Sequence, residues 1–174
     1  RDEFEDAAGF GWTVGETRFD WASLIANKDK EIARLEGIYK RSLERAGVAT
    51  IASRAVLEDR HTIRLLADNR KVTAKYILIA TGGKPNLDDK LAGIEHVITS
   101  NEAFHLPELP KRIVVVGGGY IAVEFAGIFH SLGVDTTLLY RGEKILRGFD
   151  EDLRDGLAEE YNRRWLKVLT GRVF

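Results

Sequence analysis

The chain is 174 residues long, 44% hydrophobic and 30% charged, a composition that supports a buried core and excludes a disordered or membrane-spanning polypeptide. Its 26 Lys and Arg against 27 Asp and Glu give a net charge of −1 with the signs interspersed, so nothing points to nucleic acid or a membrane surface as a partner. There is no signal-peptide pattern and no cysteine; the expectation is a soluble, cytoplasmic protein with no disulfide, thiolate metal site or thiol nucleophile within these residues.

Residues 1–18 are irregular in pattern and read as if something preceded them. Phe19-Asp20-Trp21 opens a helix, with Asp20 as N-cap and Phe19 placed to staple onto Leu24. Ile25, Ile32, Leu35, Tyr39 and Leu43 follow at helical spacing and Gly47 is a stop, which predicts a helix over 21–46 with the charged run 27–31 on a solvated face. Short strands are expected over 48–56, 62–66 and 71–73, with Asp68-Asn69 turning between the last two. A further buried β-run over 75–80 ends in Thr81-Gly82-Gly83-Lys84-Pro85, which either brings backbone amides up to a ligand or merely turns the chain. Residues 100–103 suit a short capped helix. Pro107 and Pro110 then bracket a connector, 107–111, that divides an expected domain over 1–106 from another over 112–174.

Residues 112–124, Arg-Ile-Val-Val-Val-Gly-Gly-Gly-Tyr-Ile-Ala-Val-Glu, change period at the glycines. Ile113 to Val116 read as a strand buried on both faces, and Ile121, Phe125, Ile128, Phe129 and Leu132 as the apolar side of a helix. Gly117 suits the tight turn, Gly119 has no Cβ to block a pyrophosphate, and Ala122 is small enough for close helix–strand packing, completing a G-x-G-x-x-A fingerprint. Any strand-to-helix turn can also use glycine for its φ freedom alone. The following strand over 136–140 completes a βαβ unit and favours nucleotide binding at the free N–H groups of the helix start.

The end of that second strand is where an NAD site carries an acid for the ribose 2′-hydroxyl. Here it holds Tyr140, followed by Arg141 and, six residues on, Arg147. Two guanidinium groups on one loop suit a 2′-phosphate and so NADPH; the plainer reading is a pair of solvated loop arginines. A helix over 150–164 capped by Asp150 and a strand over 166–169 follow. Three strands are few for a parallel α/β domain, so both ends of the chain are expected to be cuts. His61, His96, His105 and His130 have no metal-ligand spacing, and no metal is expected.

Taken together, Ile79-Ala80-Thr81-Gly82-Gly83, the Thr99-Ser100 and Leu109-Pro110 connector, the run from Gly117 to Gly127, and Arg141 with Arg147-Gly148-Phe149-Asp150 resemble the flavin- and pyridine-nucleotide-dependent disulfide reductases, and among them the glutathione reductases. The resemblance covers about residues 4–150 and thins after Tyr161. It implies an α/β fold in which part of a Rossmann-like FAD domain is followed by part of a Rossmann-like NADPH domain, three-layer β/β/α in type and both incomplete. It implies FAD contacts at Ala55, Thr81 and Gly82. It places NADPH at Gly117, Gly118, Gly119, Ile121, Ala122 and Glu124, the last near flavin and nicotinamide, with Arg141 and Arg147 on the 2′-phosphate. Tyr120 matches the tyrosine that covers the nicotinamide pocket and moves when NADPH enters. Arg34-Leu35 and Ile38-Tyr39 resemble a segment that contacts glutathione disulfide, so Ile38 and Tyr39 are substrate candidates; on spacing alone they are a core stripe. Glu31 and Ser42 occupy neighbouring positions with residue types that differ from the family's.

The implied activity is reduction of glutathione disulfide to glutathione by hydride transfer from NADPH to FAD and on to a redox dithiol, in a homodimer. That dithiol is absent here, as are the family's first FAD fingerprint and its interface histidine, so no residue of the chain is a catalytic candidate and the 174 residues alone are expected to be inactive. Two other readings stand beside it: an inactive NADPH-binding fragment, and a related reductase. Among related reductases, Tyr140-Arg141 opposes dihydrolipoamide dehydrogenase, which uses NAD, while trypanothione reductase differs mostly outside this segment.

Overall fold

A computed structural model describes residues 2–87 and 90–172; the outermost positions of the expected domains, 1 and 174, lie outside them. In chain order the elements are α1 (Asp2–Asp6), a 3-10 turn (Ala7–Phe10), α2 (Trp21–Arg45), β1 (Ala55–Leu57), β2 (Thr62–Leu65), β3 (Lys71–Thr73), a second 3-10 turn (Ile94–His96), α3 (Ser100–Ala103), β4 (Arg112–Val116), α4 (Tyr120–Ser131), β5 (Asp135–Leu139), α5 (Glu151–Arg163) and β6 (Lys167–Leu169). The fold is α/β with two three-stranded sheets. Two compact units divide it: residues 26–99 form one, and residues up to 25 together with those from 100 onward form the other.

Helix α2 begins and ends where local chemistry dictates. The Asp20 carboxylate accepts the Ser23 N–H at 2.8 Å, and hydrogen bonds from Ser23 hold that carboxyl below its usual range. At the other end Gly47 takes φ +70°, and the N–H groups of Gly47 and Val48 donate to the carbonyls of Glu44 and Leu43, each at 3.0 Å. These two bonds satisfy carbonyls that the last helical turn leaves open. The expected core stripe is only partly covered: Ile25 and Leu35 are half-buried, whereas Ile32, Tyr39 and Leu43 are exposed. Helical spacing marks an apolar face without specifying what lies against it.

The unit of residues 26–99 contains the antiparallel sheet β1-β2-β3, with Val56 opposite Arg64 and Ile63 opposite Val72. Asn69 makes the β2–β3 turn in the left-handed region at φ +60°, and Asp68 Oδ1 accepts the Arg70 N–H at 3.0 Å. Two strand expectations fail here. Of residues 48–56 only Ala55 and Val56 lie in a strand. Residues 75–80 form none, and they are not buried, with Tyr76 81% and Leu78 89% exposed. A β-branched and aromatic run becomes a strand only beside a backbone partner, and none pairs with it among the described residues.

The other unit is built on the parallel sheet β4-β5-β6, in which Val114 lies opposite Thr137 and Leu138 opposite Val168. Its larger core gathers Val123 and Ala126 of α4, Leu138 of β5, Ile145, Leu146, Tyr161 of α5 and Leu166. A second cluster packs Trp21 against Phe129 and Val134, ring centroids 6.2 Å apart for the aromatic pair. Trp21 Nε1 donates to the Leu106 carbonyl at 2.8 Å, and Leu109 packs on the same cluster. Asp150 caps α5 by accepting the Asp152 N–H at 3.0 Å.

Three expectations about this unit change. Residues 1–18 are not uniformly irregular, since α1 and the first 3-10 turn occupy residues 2–10. Strand β4 is not buried on both faces: Ile113 and Val115 point to the core side, but Val114 and Val116 are 60% and 54% exposed. The buried line of α4 runs through Val123, Ala126 and Phe129, while Ile121 and Ile128 are exposed. Ala126 is fully buried in the cluster that contains Leu138 of β5, and a small side chain suits a close-packed position that hydrophobicity alone does not register.

Candidate functional site

The glycine turn lies between β4 and α4. Gly117 has φ +142°, and a Cβ placed on it would stand 3.1 Å from the Ala122 Cβ. The first glycine and the small residue five positions on therefore require each other. A Cβ on Gly119 would meet nothing within 4 Å, leaving open space over the turn. Gly119 is the N-cap residue of α4 and supplies no side-chain cap, in contrast to Asp20 and Asp150 on α2 and α5. The first N–H groups of α4 are thus available to an anion.

Gly118 is needed for a different reason. A Cβ there would fall 2.5 Å from Tyr140 Cγ, and a Cβ on Gly142 would fall 2.5 Å from Tyr140 Cε1. The Tyr140 ring lies against both backbones. The loop carrying the arginines is tied to the turn by the Leu146 N–H, which donates to the Gly118 carbonyl at 2.5 Å. Leu146 is buried and holds φ +55°, a conformation that disfavours a non-glycine residue by about 1–2 kcal/mol. From α5, Arg154 donates through Nε to the Ile145 carbonyl at 2.8 Å and through Nη2 to the Lys144 carbonyl at 3.0 Å. Lys144 in turn reaches Glu151 and Asp155, whose hydrogen bonds raise its ammonium pKa.

Arg141 and Arg147 are exposed at opposite ends of this braced loop, and among the described residues no hydrogen bond or ion pair engages either. Tyr120 is the first residue of α4 and is 56% exposed, so its ring is not part of the core. Ile121 and Glu124 are exposed on the first turns of α4, and Ala122 is half-buried under Gly117. The structure thus brings Gly117, Gly118, Gly119, Tyr120, Ile121, Ala122, Glu124, Arg141 and Arg147 to one end of the parallel sheet. The remaining candidates belong to the other unit. There, Ala55 begins β1 and is exposed, Thr81 and Gly82 lie in an exposed loop with Gly82 at φ +71°, Ile38 is half-buried on α2 and Tyr39 is exposed beside it. Among the described residues no group of three or more His, Asp or Glu could hold a metal ion, and no helix is long and apolar enough to cross a membrane.

Sequence reasoning missed the supports of the loop. The packing of Tyr140 on Gly118 and Gly142 had one signal, a middle glycine that the G-x-G-x-x-A pattern leaves unexplained. Leu146 and Arg154 had none, because a strained φ and a guanidinium bonded to carbonyls are properties of a folded backbone.

The proteins this chain resembles include several glutathione reductases. The chain is 46% identical to a glutathione reductase of Nostoc sp. over 170 residues, covering 98% of this chain and 36% of the relative. It is 47% identical to a glutathione reductase of Burkholderia cepacia over 168 residues, 97% of this chain and 37% of the relative. It is 48% identical to the chloroplastic/mitochondrial glutathione reductase of Pisum sativum over 150 residues, 86% of this chain and 27% of the relative. The chain therefore spans about a third of the length of the relatives it matches. The pattern of pyridine nucleotide-disulphide oxidoreductases matches residues 3–174. With the glycine turn, the parallel sheet and that match in agreement, the chain belongs to the pyridine nucleotide-disulphide oxidoreductase family.

Proposed function

We propose that the chain is the NADPH-binding part, together with a portion of the FAD- and substrate-contacting surface, of a homodimeric flavoenzyme that reduces glutathione disulfide. The observation that carries the proposal is the joining of an uncapped helix N-terminus to a two-arginine loop through the bond from Leu146 to the Gly118 carbonyl. In this reading residues 1–106 belong to an FAD domain of Rossmann type, 107–111 connect, and 112–174 belong to an NADPH domain.

The residues present fit a dinucleotide phosphate. The α4 N–H groups and the open space over Gly119 receive the pyrophosphate, while Arg141 and Arg147 offer unengaged guanidinium groups to a 2′-phosphate. Tyr120 and Glu124 are assigned to the nicotinamide end, where the Tyr120 ring is exposed. Ala55, Thr81 and Gly82 are assigned to FAD; the exposed backbone at Gly82, with nothing within 4 Å of a Cβ position, leaves room for a ligand. Ile38 and Tyr39 are assigned to glutathione disulfide. When bound, NADPH and FAD supply hydride transfer; the chain's own residues bind, orient and select. The names of the relatives from Nostoc sp. and Burkholderia cepacia support glutathione disulfide as the substrate. A trypanothione-type substrate and a purely nucleotide-binding fragment are the readings to be displaced.

The test replaces Arg141 and Arg147 together by alanine in the full-length protein. Binding of NADPH weakens by several kcal/mol, at about 1.5–3 per charge-assisted hydrogen bond, while NADH use stays nearly constant. Equal loss for both nucleotides would remove the 2′-phosphate assignment. In the same protein Tyr39→Ala raises the Michaelis constant for glutathione disulfide and leaves that for NADPH unchanged.

A further inference from the structure

Tyr140 stands at the strand end where a 2′-hydroxyl-reading acid would be, and its ring lies against the backbone of Gly118 and Gly142. A Cβ on Gly118 would lie within 2.6 Å of Cγ, Cδ1 and Cδ2 of the ring, and a Cβ on Gly142 would lie 2.5 Å from Cε1 and 2.8 Å from Cζ. The near end of the ring thus rests on the phosphate turn and its far end on the arginine loop. Around it the backbone closes the same joint: Tyr140 N–H donates to the Leu169 carbonyl at 2.9 Å, Gly171 N–H to the Gly142 carbonyl at 2.9 Å, and Leu146 N–H to the Gly118 carbonyl at 2.5 Å. Removing the ring would leave a gap of aromatic size between the turn and Gly142, directly beside Arg141.

We propose that Tyr140 is a specificity-positioning residue: a planar spacer, admitted by the two glycines at 118 and 142, that sets the distance between the phosphate turn and the Arg141–Arg147 loop and so fixes discrimination for a 2′-phosphorylated nucleotide. The inference rests on the NADPH reading given above. It assigns Tyr140 no contact with the nucleotide; the ring acts through the placement of the guanidinium groups, because a bidentate ion pair is lost when the fork is displaced by about an ångström. Only the flat ring matters, and the hydroxyl is dispensable.

The experiment titrates the full-length protein with adenosine 2′,5′-bisphosphate and with 5′-AMP, whose affinity ratio reads the 2′-phosphate alone. Tyr140→Ala lowers the ratio roughly tenfold through lost preorganisation while AMP binding is retained. Tyr140→Phe keeps the ratio. Gly142→Ala, which drives a methyl into the ring from the other side, lowers the ratio as well, and adds nothing further in a Tyr140→Ala background. Should Tyr140→Ala fail to fold, Gly142→Ala carries the test with the tyrosine in place. If Tyr140→Ala and Gly142→Ala both keep the ratio while the Arg141/Arg147 double alanine variant abolishes it, the positioning role falls and the NADPH reading stands. If the arginine double variant keeps the ratio too, both fall.

Discussion

Tyr161 shows how one side chain settles the geometry on which the site depends. Its hydroxyl donates to the Val123 carbonyl of α4 at 2.7 Å, and a Cβ on Gly127 would stand 3.3 Å from the same oxygen. The tyrosine is buried, and burial first, with the charge of Glu124 second, pushes its phenol above the usual value. Tyr161→Phe should lower stability by about 1–2 kcal/mol, since the carbonyl loses a partner in a buried setting. The pH dependence follows from the same shift. An acid whose folded pKa lies above its unfolded pKa contributes full stability below the unfolded value and loses it as pH rises through the folded one. Denaturant titrations above pH ~10 should therefore show a decline that Tyr161→Phe flattens; parallel declines in both proteins would mean that another group titrates.

Helix α5 acts on the loop as an element. Asp150 fixes its first turn, Arg154 one turn on holds the Ile145 and Lys144 carbonyls, and Tyr161 in the last turns holds α4. Asp150→Ala should cost about 1 kcal/mol of stability, measured by urea unfolding with unchanged slope; a loss below a few tenths would show that the cap is replaced by water. Such helices were legible in the sequence because a cap, a period and a stop each speak locally: α2 falls over Trp21–Arg45 against an expected 21–46, and α5 over Glu151–Arg163 against 150–164. The strands were legible only where the chain supplies the neighbour. Residues 75–80 have the composition of a strand but no pairing partner among the described residues, and Val114 and Val116 look buried by type while their face of the sheet is exposed. At the site, the roles of Gly117 and Ala122 could be read from spacing. Those of Gly118, Gly142, Leu146 and Arg154 could not, because each depends on a contact made across the loop.

For the molecule as a whole, binding and chemistry separate. In the proposed reading the parallel-sheet unit supplies the nucleotide-binding groups, whereas the sequence contains no cysteine and the reaction proposed for the full-length protein ends in thiol–disulfide exchange, which requires a thiolate to attack the disulfide sulfur. No other side chain in the chain can replace it as both nucleophile and electron carrier. The chain also spans only about a third of its relatives' length. Expressed by itself, with an intact mass of 19.5 kDa, it should give no NADPH oxidation dependent on glutathione disulfide, even where it retains affinity for adenosine 2′,5′-bisphosphate. The full-length protein should show both. Disulfide-dependent NADPH consumption by the cysteine-free chain, persisting after mass analysis excludes a contaminating reductase, would overturn the division of labour; it would require electrons to leave NADPH by a route that uses no protein sulfur.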